Sequence, residues 1–209
     1  MLKKLTMLLV AICAIVLLAG CQSTTDRLAE SASGKNVDLR GYLMLGEVET
    51  VYGVLRNQQH PFIEAEDIGM AVLTFKNGAV ATIEGTTNVY PKNLEETLYM
   101  FGEKGTVKLG GKSVNSIDVW DFSDELLEDS CERGLEEKTT NVYGNGHVSL
   151  YNNVINAIIS GEKPLITAED GKRAVEVVLA IYESARLKAP VTLPLKNVRT
   201  VDFTGLLNK

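Results

Sequence analysis

Hydrophobic positions change their spacing along this chain. Residues 5–18 form an apolar run behind Lys3 and Lys4, and residues 22–35, QSTTDRLAESASGK, are small and polar. From about residue 48 the apolar positions gather in short β-branched or aromatic stretches: VETVYGVLR, DIGMAVLTF, VATIEGTT, ETLYMFG, GTVKLG and SIDVWDF. These read as strands. Asn77-Gly78 predicts a two-residue hairpin, because both residue types tolerate positive φ. In VATIEGTT, Thr82, Glu84 and Thr86 share one face, and Ala81 and Ile83 share the other. That sheet therefore has one polar or half-polar face. Glu103-Lys104 reads as a turn. Residues 123–138 hold seven acids and read as a charged surface loop or short helix.

After residue 145 the spacing becomes helical. Leu150, Val154, Ile155 and Ile158 form an apolar stripe that Gly161 ends. Thr167-Ala168-Glu169-Asp170 resembles a capping box with Asp in the usual Glu place, and opens a helix to about Leu187. Ala174, Val177, Val178, Ile181 and Ala185 follow its period. Pro190 and Pro194 flank a short last strand. Strands first and helices after, with a hairpin, predict an α+β fold: an open, mostly antiparallel sheet with helices packed on one face.

The amino terminus carries an address. A basic start, a short apolar run and small residues before a cut site make a secretory signal. The run is short of the roughly 20 residues a membrane-spanning helix needs. Leu18-Ala19-Gly20-Cys21 resembles the bacterial lipobox. That resemblance implies acylation of Cys21 as the mature first residue, a thiolate being a nucleophile able to hold a thioether-linked lipid. The expected organisation is a signal at 1–20, a polar tether at 21–35 and a domain at 36–209. The expected location is the cell envelope, on the outer side of a bacterial membrane. There is no twin arginine, so the route is Sec-type.

Charge and cysteine content narrow the functions. The net charge is −6, and losing Lys3 and Lys4 with a signal that holds no acid leaves −8. Such a chain has no nucleic-acid surface. With Cys13 in the signal and Cys21 on the lipid, Cys131 is left alone and no internal disulfide forms. Acids surround it and raise rather than lower a thiol pKa, so it is not a candidate nucleophile. Two histidines and a distant cysteine give no metal-ligand spacing. No Gly-x-Gly-x-x-Gly, phosphate loop or internal repeat occurs.

The stretches LGEVETVYGV, EDIGMAVLTFKNGAVATIEGTT, FGEKGTV, GHVSLYNNVINAIISGEKP and TAEDGKRAVEVVLAIYESARLKAPVTLPL, in that order, resemble the C-terminal domain of the Gfo/Idh/MocA oxidoreductases. The resemblance runs over about residues 36–195. It is nearest the branch acting on sugar-nucleotide acids or related sugars. It implies a sheet that lines a substrate site and forms a subunit interface, behind a Rossmann domain holding NAD or NADP. That Rossmann domain is missing from these 209 residues, and so is the family's Glu-Lys-Pro motif with its catalytic lysine. With Asn36-Val37-Asp38-Leu39 aligned to the family segment, the family's His falls on Lys35 and its Asp on Ser31. An unperturbed lysine does not exchange protons near neutral pH as a histidine does. The chain is therefore expected to bind no cofactor and to carry no catalytic residue of its own.

The resemblance implies a substrate role for His147, which stands where the family often has a sugar-contacting histidine. Tyr143 and Asn145, on the same glycine-containing loop, are candidates to hydrogen-bond a sugar hydroxyl. His60, before Pro61, is expected to be exposed and inert. Thr82, Glu84 and Thr86 line a wet face unless a family-like dimer covers it. Three functions fit: a domain of an oxidoreductase, inactive alone; a lipid-anchored module that binds a sugar or sugar acid; or a half-enzyme completed by a separate Rossmann-domain chain. Exposed sheet edges and faces also predict self-association.

Overall fold

The computed structural model describes residues 45–112, 114–123 and 146–207; of Gly146, His147 and Ser149 only the backbone is described. The elements are β1 (Val48–Arg56), β2 (Ile68–Phe75), β3 (Val80–Thr86), β4 (Leu98–Gly102), β5 (Gly105–Gly110), β6 (Ser116–Phe122), α1 (Gly146–Ser160), α2 (Ala168–Leu187), β7 (Val191–Thr192) and a 3-10 turn (Thr200–Phe203). Among the described residues every strand pair is antiparallel. The one open sheet expected from sequence resolves into two, a four-stranded sheet in the order β3-β2-β1-β7 and a three-stranded sheet in the order β4-β5-β6. They fall in different compact units, one built from Leu45–Lys92 with the segment from Ala168 onward, the other from Asn93–Thr167.

In the first unit α2 lies on one face of the four-stranded sheet. Val51 and Leu55 of β1, Ala71, Leu73 and Phe75 of β2, and Val177, Val178, Ala180 and Ile181 of α2 form the core between them. The alternation foreseen for β3 holds: Ala81 and Ile83 pack toward this core, while Thr82 and Glu84 are exposed. Fully burying one Leu or Ile side chain contributes about 1.5–3 kcal/mol, so this layer carries the unit's stability.

Gly53 sets how near the helix approaches. A Cβ there would stand 2.7 Å from Ile181 Cγ2 and 2.8 Å from the Ile181 carbonyl oxygen. No larger residue allows that contact without moving α2. The segment after α2 returns along β1, where β7 pairs Thr192 with Thr50 and Val191 with Val51. The Leu195 amide donates to Glu176 Oε1 at 2.8 Å, and Phe203 packs its ring against Tyr182 at 5.3 Å.

The β2–β3 turn differs from the expected two-residue form. The Phe75 amide donates to the Ala79 carbonyl, and the Gly78 amide donates to the Phe75 carbonyl, both at 2.9 Å. Three residues, Lys76 to Gly78, thus make the loop. Only Gly78 has positive φ, at 88°. Asn77 instead spends its side chain on the backbone, its Oδ1 accepting from the Ala79 amide at 3.0 Å and its Nδ2 donating to the Leu45 carbonyl at 2.9 Å. A three-residue loop with glycine at the left-handed position is the next hairpin solution after the two-residue turn.

In the second unit the three-stranded sheet buries Val107, Leu109, Ile117 and Trp120 on one face. Tyr99 and Phe101 stand exposed on β4, beside an ion pair of Lys108 Nζ and Asp118 at 2.8 Å. α1 belongs to this unit and ends as foreseen at Gly161, whose φ is 73°. Its apolar stripe departs from the expected one. Leu150 and Val154 are half-buried and Ala157 is buried, whereas Ile155 and Ile158 are exposed. Adjacent helical residues point about 100° apart, so Val154 and Ile155 cannot share a face.

Candidate functional site

Of the sequence candidates, Tyr143, Asn145 and Cys21 lie outside the described residues, as do Ser31, Lys35 and Cys131. His147 is placed by its backbone alone, in the first turn of α1. What the described residues bring together is a surface and one end of the four-stranded sheet.

The surface is the sheet face turned away from α2. The register sets it in rows: Tyr52, Val72 and Thr82 lie across from one another, as do Val54, Met70 and Glu84. A third row runs Thr50, Thr74 and Val80, with the Thr50 and Thr74 hydroxyls 2.6 Å apart. Tyr52, Val54, Met70, Val72 and Val80 are 37–70 % exposed. A central apolar stripe rimmed by threonines and Glu84 is more hydrophobic than the half-polar face read from β3 alone. The extra apolar residues come from β1 and β2. In sequence they look like a fully buried strand, since both alternate positions are apolar.

At the end of this face, where β1 leaves and β2 enters, Asp67 organises two loops. Its carboxylate is only 2 % exposed. Oδ2 accepts the amides of Gln58 at 2.9 Å, Gln59 at 2.6 Å and His60 at 3.2 Å. His60 Nδ1 lies 3.4 Å from the same oxygen, so His60 is a partner in this cap and not the inert loop residue expected from sequence. Burial alone would raise the Asp67 pKa. The Gln59 and Gln58 amides, with Asn88 and His60 nearby, outweigh it and hold it at about 2. The Asp67 carbonyl accepts the Thr87 amide at 2.9 Å and the Thr86 hydroxyl at 3.0 Å, tying the loop after β3 to the same point. Asn57 closes the β1–β2 loop by donating to the carbonyls of His60, Ile63 and Ala65.

Beside Asp67, the buried Glu66 accepts a hydrogen bond from the Tyr182 hydroxyl of α2. Burial, with Glu66 second, pushes the Tyr182 pKa up, so the phenol is a fixed donor and not an acid–base group. Sequence reading missed Glu66 and Asp67 as a hub. Their signal is two adjacent acids just before an apolar strand, a place where charges are otherwise unwelcome.

Residues 37–193 match the family pattern described as "Oxidoreductase family, C-terminal alpha/beta domain", of Gfo/Idh/MocA type. This chain belongs to the Gfo/Idh/MocA oxidoreductase family. The WlbA dehydrogenase of Bordetella pertussis, solved with NADH and UDP-GlcNAcA, is 36 % identical with a TM-score of 0.59, over 77 % of this chain and 43 % of that one. The WlbA enzyme of Chromobacterium violaceum, solved with the same two ligands, is 33 % identical with a TM-score of 0.58, over 79 % and 45 %. The myo-inositol 2-dehydrogenase of Thermotoga maritima is 26 % identical over 75 % of this chain and 46 % of its own length. The chain thus spans about half the length of the relatives it matches.

Among its described residues this Gfo/Idh/MocA domain forms no dinucleotide cradle. A pyrophosphate cradle needs a strand that runs through a glycine turn into a helix amino terminus within a parallel unit. Among the described residues all paired strands are antiparallel, and α2 follows α1 with no strand between them. Among the described residues there is also no cluster of three His, Cys, Asp or Glu placed to hold a metal ion, and no helix long and apolar enough to cross a membrane.

Proposed function

We propose that this chain is the substrate-binding and oligomerisation domain of an NAD(P)-dependent sugar oxidoreductase, and that these residues alone do not transfer hydride. The open, apolar-striped face of the four-stranded sheet carries the reading. Such a face is costly in water and suits a second copy of the same sheet. Relatives solved with a sugar-nucleotide acid and NADH support a sugar or sugar-acid ligand, met near His147, Tyr143 and Asn145. The dinucleotide, NAD or NADP, would be held by a Rossmann domain outside these 209 residues.

A second reading follows from Leu18-Ala19-Gly20-Cys21. In it the domain is anchored through Cys21 at the outer side of a bacterial membrane and binds a carbohydrate there without chemistry.

The test is a thermal-shift panel on the full chain carrying Cys21→Ser, with NADH, NADPH, free sugars, uronic acids and UDP-linked sugar acids. A ligand that binds only the folded state raises the melting temperature by mass action. A shift with a UDP-linked sugar acid and none with a dinucleotide is the expected result. A shift with NADH or NADPH overturns the proposal that these residues hold no cofactor. A shift with free sugars alone, together with acylation of native Cys21 in cells, selects the anchored binding module.

A further inference from the structure

We infer that the open face of the three-stranded sheet is a binding site for neutral carbohydrate, a shelf of two aromatic rings beside a fixed ion pair. Tyr99 and Phe101 point the same way from β4, because residues two apart on a strand share a face. Their ring centroids lie 6.1 Å apart, and their planes differ by 12°. Tyr99 is 50 % exposed and Phe101 79 %. The register sets Lys108 of β5 across from Tyr99, and Thr106 of β5 and Asp121 of β6 in line with Phe101. The other face buries Val107, Leu109, Ile117 and Trp120, so the unit's core does not use these two rings.

The charged half of the shelf is built into the sheet. Lys108 Nζ lies 2.8 Å from Asp118 Oδ2 and 5.6 Å from the Tyr99 ring centroid, within cation–π reach. The Ser116 hydroxyl donates to Asp118 Oδ1 at 2.8 Å. Lys108 first and Ser116 second hold the Asp118 carboxyl below its ordinary pKa, so it stays an acceptor at neutral pH. Gly110 makes room for it: a Cβ there would stand 2.6 Å from Asp118 Oδ2. A donor and an acceptor thus stand fixed beside flat apolar rings.

This combination of groups selects the ligand. A pyranose ring has an apolar face of C–H bonds, which suits the negative face of an aromatic ring, and a rim of hydroxyls that each donate and accept. Phe101, the more open ring, takes the C–H face, and Lys108 and Asp118 take neighbouring hydroxyls. A dry apolar cover strips water from the ion pair and returns no hydrogen bonds, which is costly. Sugar hydroxyls return them. A bilayer is a poor match, because the chain has a net charge of −6. Asp118 already balances Lys108, and the charge of Glu95 reaches it as well, so the shelf has no spare positive charge for a uronic acid. The sugar is therefore neutral. This site extends the carbohydrate-binding reading above, and it needs neither the anchor at Cys21 nor a sugar acid near His147.

Saturation-transfer NMR on the full chain with Cys21→Ser tests the site. Glucose, N-acetylglucosamine, cellotriose and chitotriose are the neutral probes, and glucuronic acid is the charged one. The expected result is transfer to a neutral probe and none to glucuronic acid. Phe101→Leu keeps apolar bulk and removes the ring, and should weaken the neutral probe by about tenfold, the upper end of what one aromatic contact contributes. Tyr99→Phe keeps the ring and should bind as the parent does, and circular dichroism confirms that both variants fold. Transfer to no neutral probe overturns the proposal, and so does a Phe101→Leu variant that binds like the parent. Equal transfer to glucuronic acid overturns the choice of a neutral sugar. Displacement of the neutral probe by a UDP-linked sugar acid overturns the site itself, by placing both ligands near His147. A Phe101→Leu variant that sediments with a smaller mass than the parent also overturns it, because the rings are then buried between copies.

Discussion

The Ser184 hydroxyl accepts the Gly53 amide at 2.9 Å and donates to the Ala189 carbonyl at 2.7 Å. β7 reaches only Thr50 and Val51 of the β1 edge. Gly53 presents the next amide on that edge, and a helix residue takes it. Ser184 is fully buried, so this one hydroxyl satisfies the strand edge and also the chain leaving α2. Ser184→Ala should leave both backbone groups unpaired inside the unit, at a cost of about 1–3 kcal/mol for a buried group. Urea unfolding of the variant against the parent measures it, and an unchanged midpoint would show that water reaches the site.

Gly53→Ala tests the approach of α2 to β1 from the other side. Its methyl group would meet the Ile181 side chain and backbone well inside van der Waals distance. Overpacking of this kind costs about 1–3 kcal/mol. Ile181→Ala removes the Cγ2 that the new methyl group meets, so it should cost less stability in the Gly53→Ala chain than in the parent. An equal cost of Ile181→Ala in both chains would place the strain in the helix backbone instead.

The layer of β1, β2 and α2 was legible in the sequence because its signals are local. β-branched stretches set the strands, and Ala174, Val177, Val178 and Ile181 set the helix face. The division into two sheets was not legible, since no residue between Thr86 and Leu98 marks a change of partner. The apolar character of the open face was hidden for a related reason. Tyr52 and Val54 alternate with Val51 and Leu55, and apolar residues on both sides of a strand say that both sides are covered without saying by what. The Asp67 cap left only the two adjacent acids before β2 as a signal, because its main partners are backbone amides, which every sequence has. His147, Tyr143 and Asn145 rest on resemblance alone, and so does the sugar they would meet.

Asp67 should make this unit sensitive to acid. Its native pKa of about 2 lies below the ordinary 3.8. A carboxylate with a depressed native pKa adds stability that is full above its unfolded value and is lost as pH falls through the native one. The loss should therefore fall between about pH 4 and pH 2. Asp67→Asn should lower stability at neutral pH and flatten the change across that window. Denaturant midpoints at several pH values, parent against variant, give the comparison. Parallel curves would mean that the amides of Gln58 and Gln59 do not hold the charge in solution.

Tyr182 and Glu66 link α2 to the entry of β2 by the same kind of buried polar contact. The hydroxyl is the fixed donor and Glu66 the acceptor, so Tyr182→Phe keeps the ring packing on Phe203 and removes only that donor. Taking one donor from a buried carboxylate should destabilise by about 1–3 kcal/mol. Glu66→Gln in the Tyr182→Phe background should restore part of it, because a neutral amide costs less to bury than a charge. The double-mutant cycle measures the coupling directly. A coupling near zero would mean that α2 holds the β2 entry through apolar packing alone, and the loop that caps Asp67 would then be free to move without disturbing the core.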